Sequence, residues 1–408
     1  MKLLFYNHTG TVSGAERVLL MILAQAERDD FAPAVLCPSG TLREMVAAQG
    51  VPCFTVEELQ ARFTRRPGQL LAYLRSFYRV IREARRAVLN IAPDLIHANS
   101  IRAGLVMTVA TAGLRVPVIW HLHDLLPHHP FSTAIRLFTL SSPRLRLLAV
   151  SQAVAERFSG LTLRLFRRRV PMTVLRNAAD TARFRPDAAA GEKVRAQLGL
   201  NEKGPVIGII GQITERKGQL GLLHAFARVV RQLPQVVLLV VGAPLFTEAD
   251  QQYHQRLIEM TAQTGLAANV RLLGPRDDVP ALMQALDVLV VNSTAEPCGL
   301  VVLEAMASGL AVIATAVGGN PELIEHNHSG WLVPSGDEAA LAAAMLKLSR
   351  EPHLRAHLGE NARQRVLKHF SVAAYLAGLH EFYRATAVRD VRQAGSLSVS
   401  PETIQQRD

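Results

Sequence analysis

The sequence predicts an α/β protein of two doubly wound domains, each with a mostly parallel sheet covered by helices on both faces. Three observations carry that expectation. Short apolar runs alternate with helical patterns along most of the chain, which is how parallel strands and crossover helices read in sequence. The alternation pauses over 188–204, a linker-like stretch rich in Ala, Gly and charge with room for one short helix, and then restarts. The length, 408 residues with 49% hydrophobic content, is enough to bury two substantial cores.

In the first half, the strand-like runs are Lys2–Asn7, Pro33–Pro38, Cys53–Val56, Asp94–Asn99, Pro117–Asp124, Leu147–Ser151 and Met172–Asn177. They belong to a first domain expected over 1–187. The first run enters a loop containing Ser13-Gly14-Ala15-Glu16, followed by an apolar helix. A glycine-bearing loop between strand and helix is the phosphate-side element of doubly wound folds, although a plain turn explains it equally well. The fifth run closes with Trp120-His121-Leu122-His123-Asp124, at the strand end where open α/β sheets bind ligands. Alternation puts both histidines on one face, leaving a structural role, ligand contact and metal ligation open. His128 and His129 follow in a Pro-bounded loop and have no readable role.

The second domain is expected over 188–371, with strand-like runs at Val206–Gly211, Val236–Gly242, Val270–Gly274, Val288–Ser293, Ala311–Val317 and Gly330–Val333. Its first strand-to-helix loop contains Gly211, Gln212, Arg216, Lys217 and Gly218. A cation at such a junction can meet a diphosphate already facing helix N-terminal amides, the alternative being a solvated Lys-Gly turn. Gly274-Pro275-Arg276 forms a further strand-to-helix loop. Ser371 is placed to cap a closing helix over 372–388, and the polar remainder, 389–408, is expected to be disordered.

The most informative stretch is Asn292–Ile324, NSTAEPCGLVVLEAMASGLAVIATAVGGNPELI. It reads as strand end, loop, short helix, strand, glycine turn and second helix. Glu296 lies in the loop and Glu304 on the helix. Between them, Cys298-Gly299 precedes Leu300 and Val301, whose amides open a helix with a positive dipole end. EPCGLVVLEAMASG is similar to the E-x7-E signature of glycosyl transferase family 4, the retaining transferases with the GT-B fold. The resemblance extends to Ser13–Glu16 (commonly GG-x-E, with Ser13 replacing the first glycine) and to Asn177-Ala-Ala-Asp180 with Phe184-Arg-Pro186. It also covers Gly211–Gly218, commonly G-R-x4-K-G, where Lys217 matches and Gln212 replaces the arginine.

The resemblance implies a nucleotide-sugar donor, with Glu304 on the ribose, and Glu296 and His123 on the transferred sugar. Gly14, Lys217, Gly274, Cys298, Gly299, Leu300 and Val301 would line the donor. Either Gln212 supplies a neutral hydrogen bond at the diphosphate or Arg216 supplies the missing charge. The closing helix would cross back to the first domain. No cofactor is implied, and no D-x-D, C-x-x-C or three-ligand histidine pattern supports a metal. The expected activity is hexosyl transfer to a saccharide or lipid-linked saccharide, as in cell-surface polysaccharide, lipopolysaccharide or glycolipid assembly. The alternatives are another GT-B enzyme, such as a sugar-nucleotide epimerase, and a non-catalytic nucleotide-sugar-binding subunit.

Charge adds an expectation about partners. Through Pro186 the chain has 25 Lys and Arg against 12 Asp and Glu, while the remainder has 20 against 22. Eight arginines fall between Arg62 and Arg86, interleaved with apolar residues as in a basic amphipathic helix. Phe131–Leu148 and Leu161–Val170 add more. Peripheral contact with an anionic membrane is expected, and nucleic acid is not, because no reading module accompanies the arginines. Three cysteines without paired spacing, a short N-terminal apolar run and no membrane-length apolar window point to a cytoplasmic protein.

Overall fold

Every apolar run expected to be a strand is one, and all the strands pair in parallel. The computed structural model describes residues 1–25, 31–59, 67–165, 170–200, 204–245 and 247–395. The first seven strands are β1 (Lys2–Tyr6), β2 (Ala32–Cys37), β3 (Cys53–Thr55), β4 (Leu95–Ala98), β5 (Val118–Leu122), β6 (Leu145–Ala149) and β7 (Met172–Val174). They form one sheet in the order β3-β2-β1-β4-β5-β6-β7. The next six are β8 (Val206–Ile210), β9 (Val237–Val241), β10 (Val270–Gly274), β11 (Val288–Val291), β12 (Ala311–Thr315) and β13 (Trp331–Val333). Their order is β10-β9-β8-β11-β12-β13. Both sheets are therefore doubly wound, with chain direction across the sheet reversing at β1/β4 and β8/β11. Loops diverge at such points and leave a crevice beyond the C-terminal strand ends.

Central strands are buried on both faces, as in β4, β5, β9 and β12, so they read as continuous apolar runs. Strand ends differ from the sequence expectation by one to three residues. Asn7, Asn99, Asp124, Asn177 and Ser293 leave the ladders and turn into the tip loops. Conversely, β6 begins at Leu145, earlier than expected, because it accommodates a buried arginine. The Arg146 guanidinium donates to the carbonyls of Pro143 and Leu145 at 2.8 and 2.9 Å. The pairing of β2 with β3 also brings Cys37 and Cys53 together, sulfur to sulfur at 3.7 Å, which their spacing does not suggest.

The chain divides into two compact units, one of Met1–Val150, Val154–Leu175 and Leu376 onward, the other of Ser151–Ala153 and Arg176–Tyr375. Residues 176–187 pack within the second unit, where the Ala179 amide donates to Phe370 O at 3.0 Å. The stretch read as a linker is an ordered part of that unit. Asp187 caps the helix Ala188–Gln197 by accepting from the Ala190 amide, and Arg195 pairs with Asp287 at 2.8 Å. Gly191 is required there, since a Cβ would stand 2.4 Å from Gln284 O. Residues 201–203 of that stretch lie outside the described residues.

The closing helix runs Val372–Gly395, past the expected end at 388. From Leu376 it belongs to the first unit, where Tyr383 is buried and His380 meets the Phe31 ring at 4.7 Å. Residues 396–408 of the expected disordered tail lie outside the described residues. The basic helix runs Pro67–Ile91, past the last arginine of its cluster at Arg86, because Val80, Ala84 and Val88 continue one buried stripe at intervals of four. Arg62, Arg65, Arg66 and Arg167–Arg169 lie outside the described residues. No helix among the described residues is long and apolar enough to cross a membrane.

Candidate active site

In the second unit, three tip loops converge after β8, β11 and β12. Glu296 is at their meeting point and is 5% exposed. Its Oε2 accepts from Lys217 Nζ at 2.5 Å and from Ser293 Oγ at 2.9 Å. Its backbone oxygen accepts from the Gly319 amide at 2.8 Å. Gly318 beside it has φ +54°, and a Cβ there would stand 1.9 Å from that same oxygen. Only glycine permits so close an approach in this left-handed conformation.

The β8 loop is fastened to the β11 loop along its length. Thr294 donates its amide to Arg216 O at 2.9 Å, and the Asn292 amide group donates to Gly218 O at the same distance. Arg216 is exposed and its Nη1 donates to Ala295 O at 3.0 Å. The Gln212 side chain turns the other way, its Nε2 3.4 Å from Asp250 Oδ2, and its backbone oxygen accepts from Gln219 Nε2 at 2.9 Å. Gly274 closes this side, with its carbonyl accepting from the Gly242 amide at 2.9 Å.

Gly299 caps the helix Leu300–Ala307. Val302, Leu303, Ala305, Met306 and Ala307 are buried, whereas Leu300, Val301 and Glu304 are half-buried along one stripe. Three residues that the resemblance assigns to the donor thus share the accessible face of one helix. Cys298 is buried, and burial pushes its thiol pKa up to about 12, which removes it as a nucleophile at neutral pH. Asn320, fully buried, donates to Thr315 O at 2.9 Å, while its Oδ1 lacks a partner among the described residues and lies close to Gly299.

The first unit gathers a different set at the ends of β1, β4 and β5. Gly14 is exposed at the start of the helix Gly14–Leu23, just after Ser13, whose amide and hydroxyl both donate to Glu16 Oε2. His123 is half-buried, with Nε2 3.1 Å from Asn99 Oδ1. His121 is fully buried, its ring 3.9 Å from that of His123, so the two histidines do share a face. His121 Nδ1 meets His97 Nε2 at 3.0 Å, and His97 Nδ1 meets the Tyr383 hydroxyl at 2.6 Å. Burial holds all three imidazoles neutral. It lowers His97 and His123 to about 3 and shifts His121 downward as well. Among the described residues no group of three or more His, Cys, Asp or Glu could hold a metal ion.

His129 is a helix cap, accepting from the Phe131 amide at 3.2 Å, and His128 contacts the Arg157 guanidinium. Ser293, Asn292, Asn7, Asn99, His97 and Tyr383 join these sites without belonging to any motif that singles them out. A usable signal was present for the strand-end set, because polar residues at alternate positions, such as His97/Asn99 and His121/His123, interrupt otherwise apolar strands.

Two family models match the chain, "Glycosyltransferase Family 4" over residues 12–183 and "Glycosyl transferases group 1" over residues 191–365. A D-inositol 3-phosphate glycosyltransferase of Salinispora arenicola is 32% identical over 384 residues, covering 89% of this chain and 82% of the relative. An alpha-maltose-1-phosphate synthase of Mycolicibacterium smegmatis is 31% identical over 311 residues, covering 72% and 79%. Among solved structures, Anabaena Alr3699/HepE in complex with UDP and glucose superposes with a TM-score of 0.79 at 29% identity, covering 94% of this chain and 99% of that one. The same protein has also been solved with UDP-glucose.

Proposed function

Because this chain belongs to the family 4 (group 1) glycosyltransferases and is a glycosyltransferase using a nucleotide-sugar donor, we propose that it transfers hexose from a UDP-sugar to an anionic acceptor with retention of configuration. The observation that carries this reading is the pairing of half-buried Lys217 with buried Glu296 beside the accessible stripe of the helix Leu300–Ala307. A lysine held by one carboxylate is already poised for a second anion. When the donor enters, Lys217 exchanges part of its contact with Glu296 for the diphosphate, and Glu296 turns its accepting oxygens to sugar hydroxyls. Glu304, one turn into the helix, takes the ribose hydroxyls.

As the bond from sugar C1 to the diphosphate oxygen breaks, negative charge grows on the leaving group. Lys217, the amides of Gly299 and Leu300 and the helix end, worth roughly half a positive charge, stabilise it. The acceptor hydroxyl forms its bond to C1 on the face the diphosphate leaves, and its proton passes to the departing phosphate oxygen. His123 contacts the sugar.

The acceptor class rests on charge. The arginine excess lies in the first half, and two relatives are named for D-inositol 3-phosphate and alpha-maltose 1-phosphate, both phosphorylated. Incubating the protein with UDP-glucose and phosphorylated polyol or lipid-linked saccharide acceptors, then reading the product by NMR, tests the proposal. An α-linked product is expected; a β-linked product, or UDP release without transfer, contradicts it.

Surface chemistry favours a second element, peripheral docking on an anionic membrane, with the protein working from the cytoplasmic side. The helix Pro67–Ile91 exposes Leu71, Leu74, Tyr78 and Leu89 among Arg75, Arg79, Arg82 and Arg86. Apolar residues next to cations suit the boundary of an anionic leaflet. Flotation with anionic vesicles is expected to exceed flotation with neutral ones at low salt, and equal recovery argues against it. Cell-surface polysaccharide or glycolipid assembly is the setting that such docking would serve.

A further inference from the structure

The first unit carries at its strand ends a chain of hydrogen bonds whose direction can be worked out. Asn7 directly follows β1, Asn99 directly follows β4, and His123 follows Leu122 of β5. These strands are adjacent, and the register Tyr6↔Ala98 sets Asn7 beside Asn99. Asn7, Asn99 and Glu16 are all buried. A backbone carbonyl can only accept, and that fixes each amide in turn. Asn7 Nδ2 donates to Thr9 O at 2.8 Å and to Glu16 Oε1 at 3.1 Å, so its Oδ1 is the atom turned to Asn99. That oxygen accepts from Asn99 Nδ2 at 3.1 Å, which also donates to Ala15 O at 3.2 Å. Asn99 therefore has only its Oδ1 left for His123, 3.1 Å from Nε2. An oxygen cannot donate, so the imidazole nitrogen must.

We propose that Asn99, held by Asn7, Glu16 and the carbonyls of Thr9 and Ala15, is a positioning residue that fixes the proton of His123 on Nε2 and leaves Nδ1 an acceptor only. Resting on the reading of His123 as a sugar contact, this says what kind of contact it makes. His123 accepts from a sugar hydroxyl and does not donate a proton to the donor or to the leaving group. The capping glutamate Glu16 serves the site as well as the helix, because its two oxygens divide between Ser13 and the asparagine chain. A two-link relay of amides gives the ring a fixed tautomer with no charged partner beside it, which suits a group that must stay neutral in a buried strand-end pocket.

The test reads the tautomer directly. The protein labelled with 15N-histidine is examined by long-range 1H–15N NMR at pH 7, with His123→Ala used for assignment. The expected wild-type spectrum has His123 Nε2 protonated and Nδ1 unprotonated. Protonation on Nδ1, or rapid averaging between the two, overturns the proposal without any variant having to fold. In Asn99→Leu the His123 pattern is expected to average, and an unchanged pattern likewise overturns it. With UDP-glucose, Asn99→Leu is expected to lower kcat about 10- to 100-fold while donor KM changes less than about threefold. A rise in KM alone contradicts a positioning role. If His123→Ala leaves turnover intact, the sugar-contact reading fails while the wild-type spectrum still decides the tautomer, so the two failures are separable.

Discussion

The two units share a fold and a strand order but solve opposite problems at their strand ends. Beyond β8 and β11, the second unit assembles charge, with Lys217 paired to Glu296 at 2.5 Å and a helix N-terminus alongside. Beyond β1, β4 and β5, the first unit assembles neutral groups, with three imidazoles kept uncharged by burial and two amides facing the same way along a chain. In the proposed mechanism the charged half would hold the diphosphate and absorb its growing negative charge. The neutral, directional bonds of the other half would recognise hydroxyls.

Breaking the charged half has the largest expected effect. Glu296→Gln keeps the shape and removes the charge, so kcat is expected to fall on the order of 10²- to 10³-fold with UDP affinity retained, as measured by steady-state rates and calorimetry. Undiminished turnover would remove the role assigned to Glu296. Next comes the glycine turn behind it. Gly318→Ala introduces a Cβ where the Glu296 carbonyl already sits and is expected to cost about 1–3 kcal/mol in denaturant unfolding.

The neutral half is expected to be acid-sensitive. His97 and His123 have folded pKa values near 3, below the unfolded 6.5, so the unfolded state binds more protons on acidification. Their stabilising effect is complete above pH 6.5 and is lost as pH falls toward 3, at up to about 1.4 kcal/mol per pH unit per histidine. Thermal unfolding across pH 7 to 4.5 checks this. The decline should be shallower in His97→Phe, and an identical slope would place the acid sensitivity elsewhere. The smallest effect per residue belongs to the basic helix, where replacing Arg75, Arg79 and Arg82 by Gln should weaken anionic-vesicle binding by about 1 kcal/mol each.

The sequence reveals much of the fold and less of the site. Apolar runs locate all the strands because parallel strands are buried on both faces. Their ends are misjudged where polar tip residues such as Asn177 and Ser293 follow without a break. The stretch 188–204 reads as a linker because Ala and Gly carry little apolar signal, yet Gly191 is small precisely enough to let its helix dock on Gln284. Within one loop and helix, the spacing of Glu296 and Glu304 is visible in the sequence. The pairing of Lys217 with Glu296, separated by 79 positions, depends on strand order and is not. The same holds for Asn7 and Asn99, 92 positions apart and joined only because β1 lies beside β4.

Titration of UDP-glucose into the wild-type protein and Lys217→Ala, read as thermal stability and heat of binding, tests whether Lys217 holds the donor diphosphate. The wild type is expected to gain about 2.7 kcal/mol from UDP-glucose at one hundred times its dissociation constant, and less from GDP- or ADP-sugars at the same concentration. Lys217→Ala is expected to bind at least about tenfold more weakly, a loss of roughly 1.4 kcal/mol. Equal binding of UDP-glucose by the two proteins, or no stabilisation by any nucleotide-sugar, would contradict that role.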